Sequence, residues 1–367
     1  MKIVVSKESL QKGLQVVQGI VESKSTMPIL SHILLSAGET TAISATDLDI
    51  AVREPLEARV EEPGAVCIPA RKLYEIVREI PASELLLESQ ENNWITVSSG
   101  KSTFRLIGLS DEDFPTFPEI NTGEAMDFPA PELHDMISRT LYATGDSDAR
   151  YTLNGLMFHL NPEKGTVTFV GTDGHRLAVA RKPLPVQPTE ERKMILPKKA
   201  ATEVRKLTEA QENPVRLTLT PNHIVFRFDD ILFITRLIEG SYPNYEQVIP
   251  KNNDKTMTVS RDEMLGAVKR ASLVGREKTF PVKMELREDA AVFSSNNPDV
   301  GEANEQIAVV YGADPLTLGF NARYMVEALQ NLPGEEISLE LQDSLSPTVI
   351  KQAGQEAYFS VIMPMRI

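Results

Sequence analysis

The chain is poor in the residues that cross-link, bind metal or anchor in a membrane. A single cysteine, Cys67, among 367 residues excludes an internal disulfide and a cysteine zinc cage, and it fits a reducing compartment. Four of the five histidines, His32, His134, His159 and His223, are scattered without metal-ligand spacing, so no metal and no cofactor is expected. No Walker loop is present, which argues against nucleotide hydrolysis. No apolar run approaches the roughly 20 residues of a membrane helix. Charge appears at Lys2, Lys7 and Glu8, before the apolar core of a signal peptide could form, so a cytoplasmic protein without membrane contact is expected. Basic residues are also in deficit. The 38 Lys and Arg against 52 Asp and Glu give a net charge of -14, which by itself disfavours nucleic acid, because phosphate binding needs concentrated Lys and Arg.

What the sequence does have is internal repetition. Ile3-Val4-Val5-Ser6 followed by Leu10 and Leu14 returns as Met126-Asp127-Phe128-Pro129 with Leu133 and Ile137. It returns again as Met257-Thr258-Val259-Ser260 with Met264 and Val268. Each copy predicts a short strand and then an amphipathic helix, since apolar residues four apart share a helix face. Alternating strands follow in the same order and run into turns: Thr46-Asp47-Leu48-Asp49, Thr172-Asp173-Gly174-His175 and Asn296-Asn297-Pro298-Asp299. A second helix is predicted in each third, through Ile80, Leu207 and Leu332, with proline or asparagine near its start. Three strands come after it. The expectation is an α+β protein of three similar domains, 1–122, 123–252 and 253–367, each of two β-α-β-β-β-like units. Polar, turn-rich stretches mark the boundaries.

The predicted helices do not share the chain's acidity. The segments 7–18, 68–80, 131–142, 197–207, 261–276 and 321–332 together carry a net +6, which leaves -20 for the rest of the chain. Basic helices on an acidic body can present one face to phosphate and repel it elsewhere. Six helices side by side about 10 Å apart would enclose a hole of only about 9 Å clear width; twelve would leave about 28 Å, enough for a duplex roughly 20 Å across. A ring around DNA would therefore need two copies, head to tail, with sheet edges joined across the interface.

Four stretches carry a resemblance: Thr26-Met27-Pro28-Ile29-Leu30, Thr172-Asp173-Gly174-His175-Arg176-Leu177-Ala178, Tyr242-Pro243-Asn244-Tyr245, and the C-terminal Val361-Ile362-Met363-Pro364-Met365-Arg366-Ile367. Together, and in order along essentially the whole chain, they resemble the β subunit of bacterial DNA polymerase III. The resemblance implies the DNA clamp fold, with helices lining a hole and sheets outside. It implies a sliding clamp that encircles duplex DNA as a homodimer, without sequence preference. Its implied partners are DNA polymerase catalytic subunits, the clamp loader and other proteins with clamp-binding peptides.

The same resemblance implies one peptide pocket per chain. It would be formed by Leu153, Thr172, Gly174, His175, Arg176, Leu177, Pro243, Gln247, Val248, Asn321, Tyr324, Val361, Met363, Pro364, Met365 and Arg366. Proline, valine and methionine suit a pliable apolar cleft. Gln247 stands where some members carry arginine, and Pro347 where serine is frequent. DNA contacts are implied for Lys24, Arg71, Tyr151, Lys198, Lys199 and Lys206, which would touch phosphate without reading sequence. Thr152 replaces a second tyrosine. At the subunit contact Phe104 and Leu106 would meet Leu273 and Val274, with Lys101 and Arg105 facing Asp299, Glu302 and Glu305.

Two other readings stay open on the residues alone. Asp173 and His175 invite a hydrolase, but residues two apart on a turn rarely share a His–Asp hydrogen bond, and no nucleophile elbow accompanies them. No catalytic residue is expected. A generic repeat-built interaction scaffold is the second alternative.

Overall fold

The computed structural model describes residues 1–22, 25–81, 83–118, 120, 123–185, 188–275 and 280–366. The first third runs β1 (Lys2–Ser6), α1 (Lys7–Gln18), β2 (His32–Ala37), β3 (Ala42–Thr46), β4 (Ile50–Pro55), β5 (Ala58–Glu62), β6 (Gly64–Pro69), α2 (Ala70–Glu79), β7 (Glu84–Ser89), β8 (Trp94–Ser99) and β9 (Ser102–Ile107). The second runs β10 (Glu124–Phe128), α3 (Ala130–Leu141), β11 (Gly155–Asn161), β12 (Thr166–Thr172), β13 (Arg176–Pro183), β14 (Arg192–Pro197), α4 (Lys198–Glu209), β15 (Val215–Leu219), β16 (His223–Phe228) and β17 (Ile231–Arg236). The third runs β18 (Lys255–Ser260), α5 (Arg261–Ser272), β19 (Pro281–Arg287), β20 (Ala290–Asn297), β21 (Gly301–Ala308), β22 (Val310–Tyr311), β23 (Leu316–Asn321), α6 (Ala322–Asn331), β24 (Glu336–Leu341), β25 (Thr348–Gln352) and β26 (Tyr358–Ile362). Each third thus holds two β-α-β-β-β units, with β5 and β22 as extra strands.

Local chemistry sets the helix ends. The Ser6 hydroxyl accepts from the Ser9 amide at 3.0 Å to cap α1, and Asn321 Oδ1 accepts from the Arg323 amide at 3.0 Å to cap α6. Helix α5 stops at Ser272, short of the expected 276, where the Leu273 amide closes onto Arg270 O and the Gly275 amide onto Ser272 O. Each helix buries one stripe: Leu10, Leu14 and Val17 in α1; Leu73 and Val77 in α2; Met264, Ala267, Val268 and Ala271 in α5; Met325, Ala328 and Leu329 in α6. Burying one aliphatic side chain of this size contributes roughly 1.5–3 kcal/mol.

The chain forms two compact units, and they do not follow the thirds. One comprises Met1–Leu133 and Thr202–Leu237, the other His134–Ala201 and Ile238–Ile367. The physical reason is sheet continuity. In the first unit an eight-stranded sheet runs β10-β15-β16-β17-β4-β3-β2-β6, so β17 of the second third pairs with β4 of the first. Ile234 lies opposite Ala51 and Phe233 opposite Val52. In the second unit a nine-stranded sheet runs β14-β11-β12-β13-β26-β25-β24-β18-β22. There β13 pairs with β26, placing Leu177 opposite Val361 and Ala178 opposite Ser360. Two smaller sheets remain: β5-β1-β7-β8-β9 in the first unit and β21-β20-β19-β23 in the second. Each leaves one terminal strand of the repeat, β9 and β21, as an edge.

Candidate functional site

One region of the second unit gathers most of the residues implied for partner binding. Its floor is apolar: Met157, Val170, Leu177, Val179, Tyr245, Val349, Phe359 and Val361 form one buried cluster, with Tyr242 and Ile249 packed against it. This cluster straddles the β13·β26 pairing, which is why Leu177 and Val361 come together from 184 positions apart in the chain. Val248 and Met363 stand at the rim, 52% and 43% exposed. Apolar side chains held open beside a rigid apolar floor are what a short hydrophobic peptide needs.

One wall is the turn between β12 and β13. Thr172 Oγ1 donates to Arg176 O at 2.6 Å and accepts from the Gly174 amide at 3.1 Å. Asp173 Oδ1 accepts from the amides of His175 and Arg176 at 2.9 and 3.1 Å. Gly174 sits at φ +84, and a Cβ there would lie 2.7 Å from the Arg150 guanidinium. The same frame recurs at Thr46–Ile50, where Thr46 Oγ1 bonds Ile50 O and Asp47 Oδ1 accepts from the Asp49 and Ile50 amides. There the left-handed position is held by Leu48, at φ +81 and 57% exposed.

Behind the turn, Arg176 is 7% exposed and fully engaged. Its Nε donates to Asp173 Oδ2 at 3.0 Å, one terminal nitrogen bonds the Glu327 carboxylate, and the other donates to Tyr142 O at 2.6 Å. The guanidinium lies over the Tyr324 and Tyr142 rings, 4.5 and 5.3 Å from their centroids. Burial would push Glu327 up, but hydrogen bonds from Arg323 and Arg176 hold its carboxyl below the usual value. Arg176 thereby fixes α6 against the turn, and His175 stacks on Tyr324 at 6.4 Å. Asp173 is committed to this frame, so the hydrolase reading of Asp173 and His175 finds only a backbone bond between them.

The C-terminal segment forms the other wall. The Met363 amide donates to His175 O at 3.0 Å and the Met365 amide to Gly319 O at 2.7 Å, which stretches the tail between the turn and β23. Pro364 and Arg366 continue this segment, while Ile367 lies outside the described residues. Leu153 is buried behind the turn, and Pro243 and Gln247 are exposed along the approach. Asn321 serves as the α6 cap. Sequence reasoning took Pro243 from the Tyr-Pro-Asn-Tyr string but missed its flanking tyrosines; it also missed Tyr142 and Glu327, for which no local signal exists.

Residues implied for DNA lie on or near the helices, and several carry an acidic partner. Arg71 Nε bonds Glu75 at 3.1 Å, Lys206 bonds Glu203 at 2.8 Å, and Lys198 bonds Asp146 at 2.7 Å. The exposed Arg71–Glu75 pair contributes at most about 1 kcal/mol, whereas Glu203 is buried beneath Lys206. Tyr151 is 59% exposed in the short helix Tyr151–Asn154, and Lys199 is half-buried on α4. Lys24 lies outside the described residues.

The residues implied for subunit contact lie on or beside the edge strands β9 and β21 and just beyond α5. Phe104, 37% exposed, and the half-buried Leu106 project from β9 on the side of the buried Val97 and Ile95, their cross-strand partners. Leu273 is 81% exposed and Val274 half-buried just beyond α5. Arg105 lies over the Trp94 ring at 4.8 Å and Lys101 is exposed. On β21 Glu302 is exposed, as is Asp299 before it, whereas Glu305 is already bonded to Arg270 at 2.8 Å.

Three like thirds of paired β-α-β-β-β units, sheets that continue from one third into the next, and an apolar cleft at a seam define a chain of the DNA-clamp class. The N-terminal, central and C-terminal domains of the DNA polymerase III beta subunit match residues 1–118, 127–244 and 246–366. The beta sliding clamps of Pseudomonas putida and Caulobacter vibrioides are 33% and 34% identical over 370 and 372 residues, covering all of both chains. The crystal structure of a Bartonella birtlesii sliding clamp bound to griselimycin superposes with a TM-score of 0.96 at 33% identity, again covering both chains in full. The chain belongs to the DNA polymerase III beta-subunit family, and its function is that of a sliding clamp in DNA replication.

Proposed function

We propose that two copies close head to tail into a ring around duplex DNA, and that the cleft between β13, α6 and the C-terminal segment receives the clamp-binding peptides of polymerases, the clamp loader and other partners. The observation that carries the ring is the rule of the seams. Inside the chain, the last strand of a second unit pairs antiparallel with the last strand of a first unit twice: β17 with β4 and β26 with β13. Only β9 and β21 are left without such a partner among the described strands, and they are the same two positions in the repeat. A single chain cannot join them around a duplex-sized hole, whereas two chains can. The three matched spans support a division into three domains, with one boundary between 118 and 127 and the other near 245.

The seams also give a register. Phe233 opposes Val52 and Ser360 opposes Ala178, on the sheet face that meets the helices. Phe104 and Ala303 hold the matching places, which sets Arg105 of one copy opposite Glu302 of the other and Thr103 opposite Asn304. An exposed Arg–Glu cross-strand pair adds little energy, roughly 0.2–1 kcal/mol, but disfavours a slipped register. On this reading the chain catalyses nothing: DNA passes through the hole, contacted by Arg71, Tyr151, Lys198, Lys199, Lys206 and Lys24. Retention follows from closure, not affinity.

The test is a pair of cysteines, Thr103→Cys with Asn304→Cys. Native Cys67 is fully buried and its thiol is pushed up to about 12 by burial, so it does not interfere. Oxidation should give a covalent dimer of about twice 40.7 kDa, and each single variant should give none. Failure of the pair to cross-link, with dimers present in solution, would reject the register.

A further inference from the structure

A second cleft lies at the other end of the strand pair that carries the peptide site. It has a volume of about 140 Å³, well above the roughly 10–15 Å³ that one water needs by the same measure. Strand β13 runs from the turn at Arg176 to Arg181 and Lys182 at this cleft, and β26 begins here at Tyr358, with the Arg181 amide bonded to Ala357 O at 2.7 Å. The two sites are thus about 15 Å apart along the strands.

Its lining inverts the charge of the molecule. Arg139 and Lys182 face one carboxylate, Asp135, in a chain whose net charge is -14, while Arg181 lines the cleft with its side chain bonded to Tyr245. Asp135 is divided between two cations: Oδ1 accepts from Arg139 Nε at 2.5 Å and Oδ2 lies 3.3 Å from Lys182 Nζ. The floor is rigid. Tyr358 is 5% exposed, and its hydroxyl lies 3.2 Å from that of Tyr142 and 3.3 Å from Ser360 Oγ. Arg139 lies over the Tyr358 ring at 5.4 Å and donates to Asn331 O at 2.9 Å, so its guanidinium is fixed before any ligand arrives. The Gln355 amide adds a donor at the mouth.

We propose that this cleft is a binding site for a compact oxyanion of the phosphate class. Such a group would sit between Lys182 and Arg139, taking up the two cations that Asp135 alone neutralises only in part. A preorganised guanidinium and a nearby ammonium form the strong, charge-assisted bonds that phosphate oxygens accept. No residue of this cleft belongs to the peptide site or to the DNA contacts named above.

The probe is inorganic phosphate, titrated into the full-length protein and followed by phosphorus-31 line broadening. Saturable broadening at one site per chain is expected. Lys182→Gln, a side chain 30% exposed, should weaken it by about tenfold or more, and Arg139→Gln should do likewise if its melting curve shows it folded. Lys193→Gln, an exposed lysine paired with Glu191 elsewhere on the sheet, should change nothing. A short duplex added at saturation distinguishes the sources: displacement of the free ion assigns the site to a strand phosphate, and persistence assigns it to a free phosphate. Broadening that is absent, or that Lys182→Gln leaves unaltered, overturns the proposal.

Discussion

Replacing Arg176 with methionine keeps an unbranched, flexible side chain but shortens it and removes its charge. In the native chain that charge is surrounded by Asp173, Glu327 and Tyr142 O, with only 6% of the side chain exposed. Breaking a buried ion pair from one side costs about 3–5 kcal/mol, because the partner is left buried and unanswered. Glu327 retains Arg323 at 2.9 Å and Asp173 retains its turn amides, so the lower end, about 3 kcal/mol, applies. For a cooperative unit of this size each kcal/mol lowers the melting temperature by roughly 2–4 °C, giving a drop of about 6–12 °C by calorimetry. Adding Glu327→Gln to Arg176→Met should recover part of the loss. The pH dependence has a definite sign. A carboxyl held below its unfolded value of 4.5 stabilises the fold above that value and loses the contribution as pH falls through its folded one. The Arg176→Met penalty should therefore be fully present at pH 7 and fade below about pH 4.5. A loss under 1 kcal/mol, or a double variant no better than the single, would refute the idea that this buried pair holds α6 to the turn.

Deletion of Met363–Ile367 should abolish binding of clamp-motif peptides by calorimetry while sedimentation still shows the dimer, since the tail supplies cleft wall. Glu54 is 6% exposed, its Oε2 has no hydrogen-bond partner among the described residues, and burial raises its pKa, with Asp230 adding and Lys12 opposing. Because that raised group favours folding below 4.5 and loses the gain as pH rises, Glu54→Gln should stabilise by about 1 kcal/mol at pH 7 and by little in acid, as read from urea midpoints. At Leu48 the left-handed backbone costs roughly 1–2 kcal/mol, partly offset by the greater unfolded-state freedom of glycine, so Leu48→Gly should gain about 0.5 kcal/mol in the same assay. Loss of stability there would show that Leu48 makes a contact outweighing its strain.

The repeat was legible because it rests on local spacing. Leu10 and Leu14, Leu133 and Ile137, Met264 and Val268 each mark a helix after a strand, and α1, α3 and α5 lie at those places. Joining across thirds was not legible. Alternation in β4 or β13 tells which face is buried, but says nothing of which strand lies alongside. That is why two compact units cut through the middle third. At the cleft, Thr172 to Leu177 were visible as a turn and a strand start. Glu327 was not, since it reaches Arg176 from 151 positions away, and an isolated glutamate on a helix looks like any solvated one.

Residence time on closed circular against linearised plasmid, after loading and at high salt, tests the sliding clamp most directly. A chain of net charge -14 should bind free duplex weakly and lose what it binds as salt rises. Once closed around a circle it should persist at such salt, and cutting the circle should release it promptly from the ends. Neutralising Lys198, Lys199 and Lys206 should slow loading and leave that persistence intact. Equal residence on circle and linear DNA would mean that contacts do the holding, and the ring account would be contradicted.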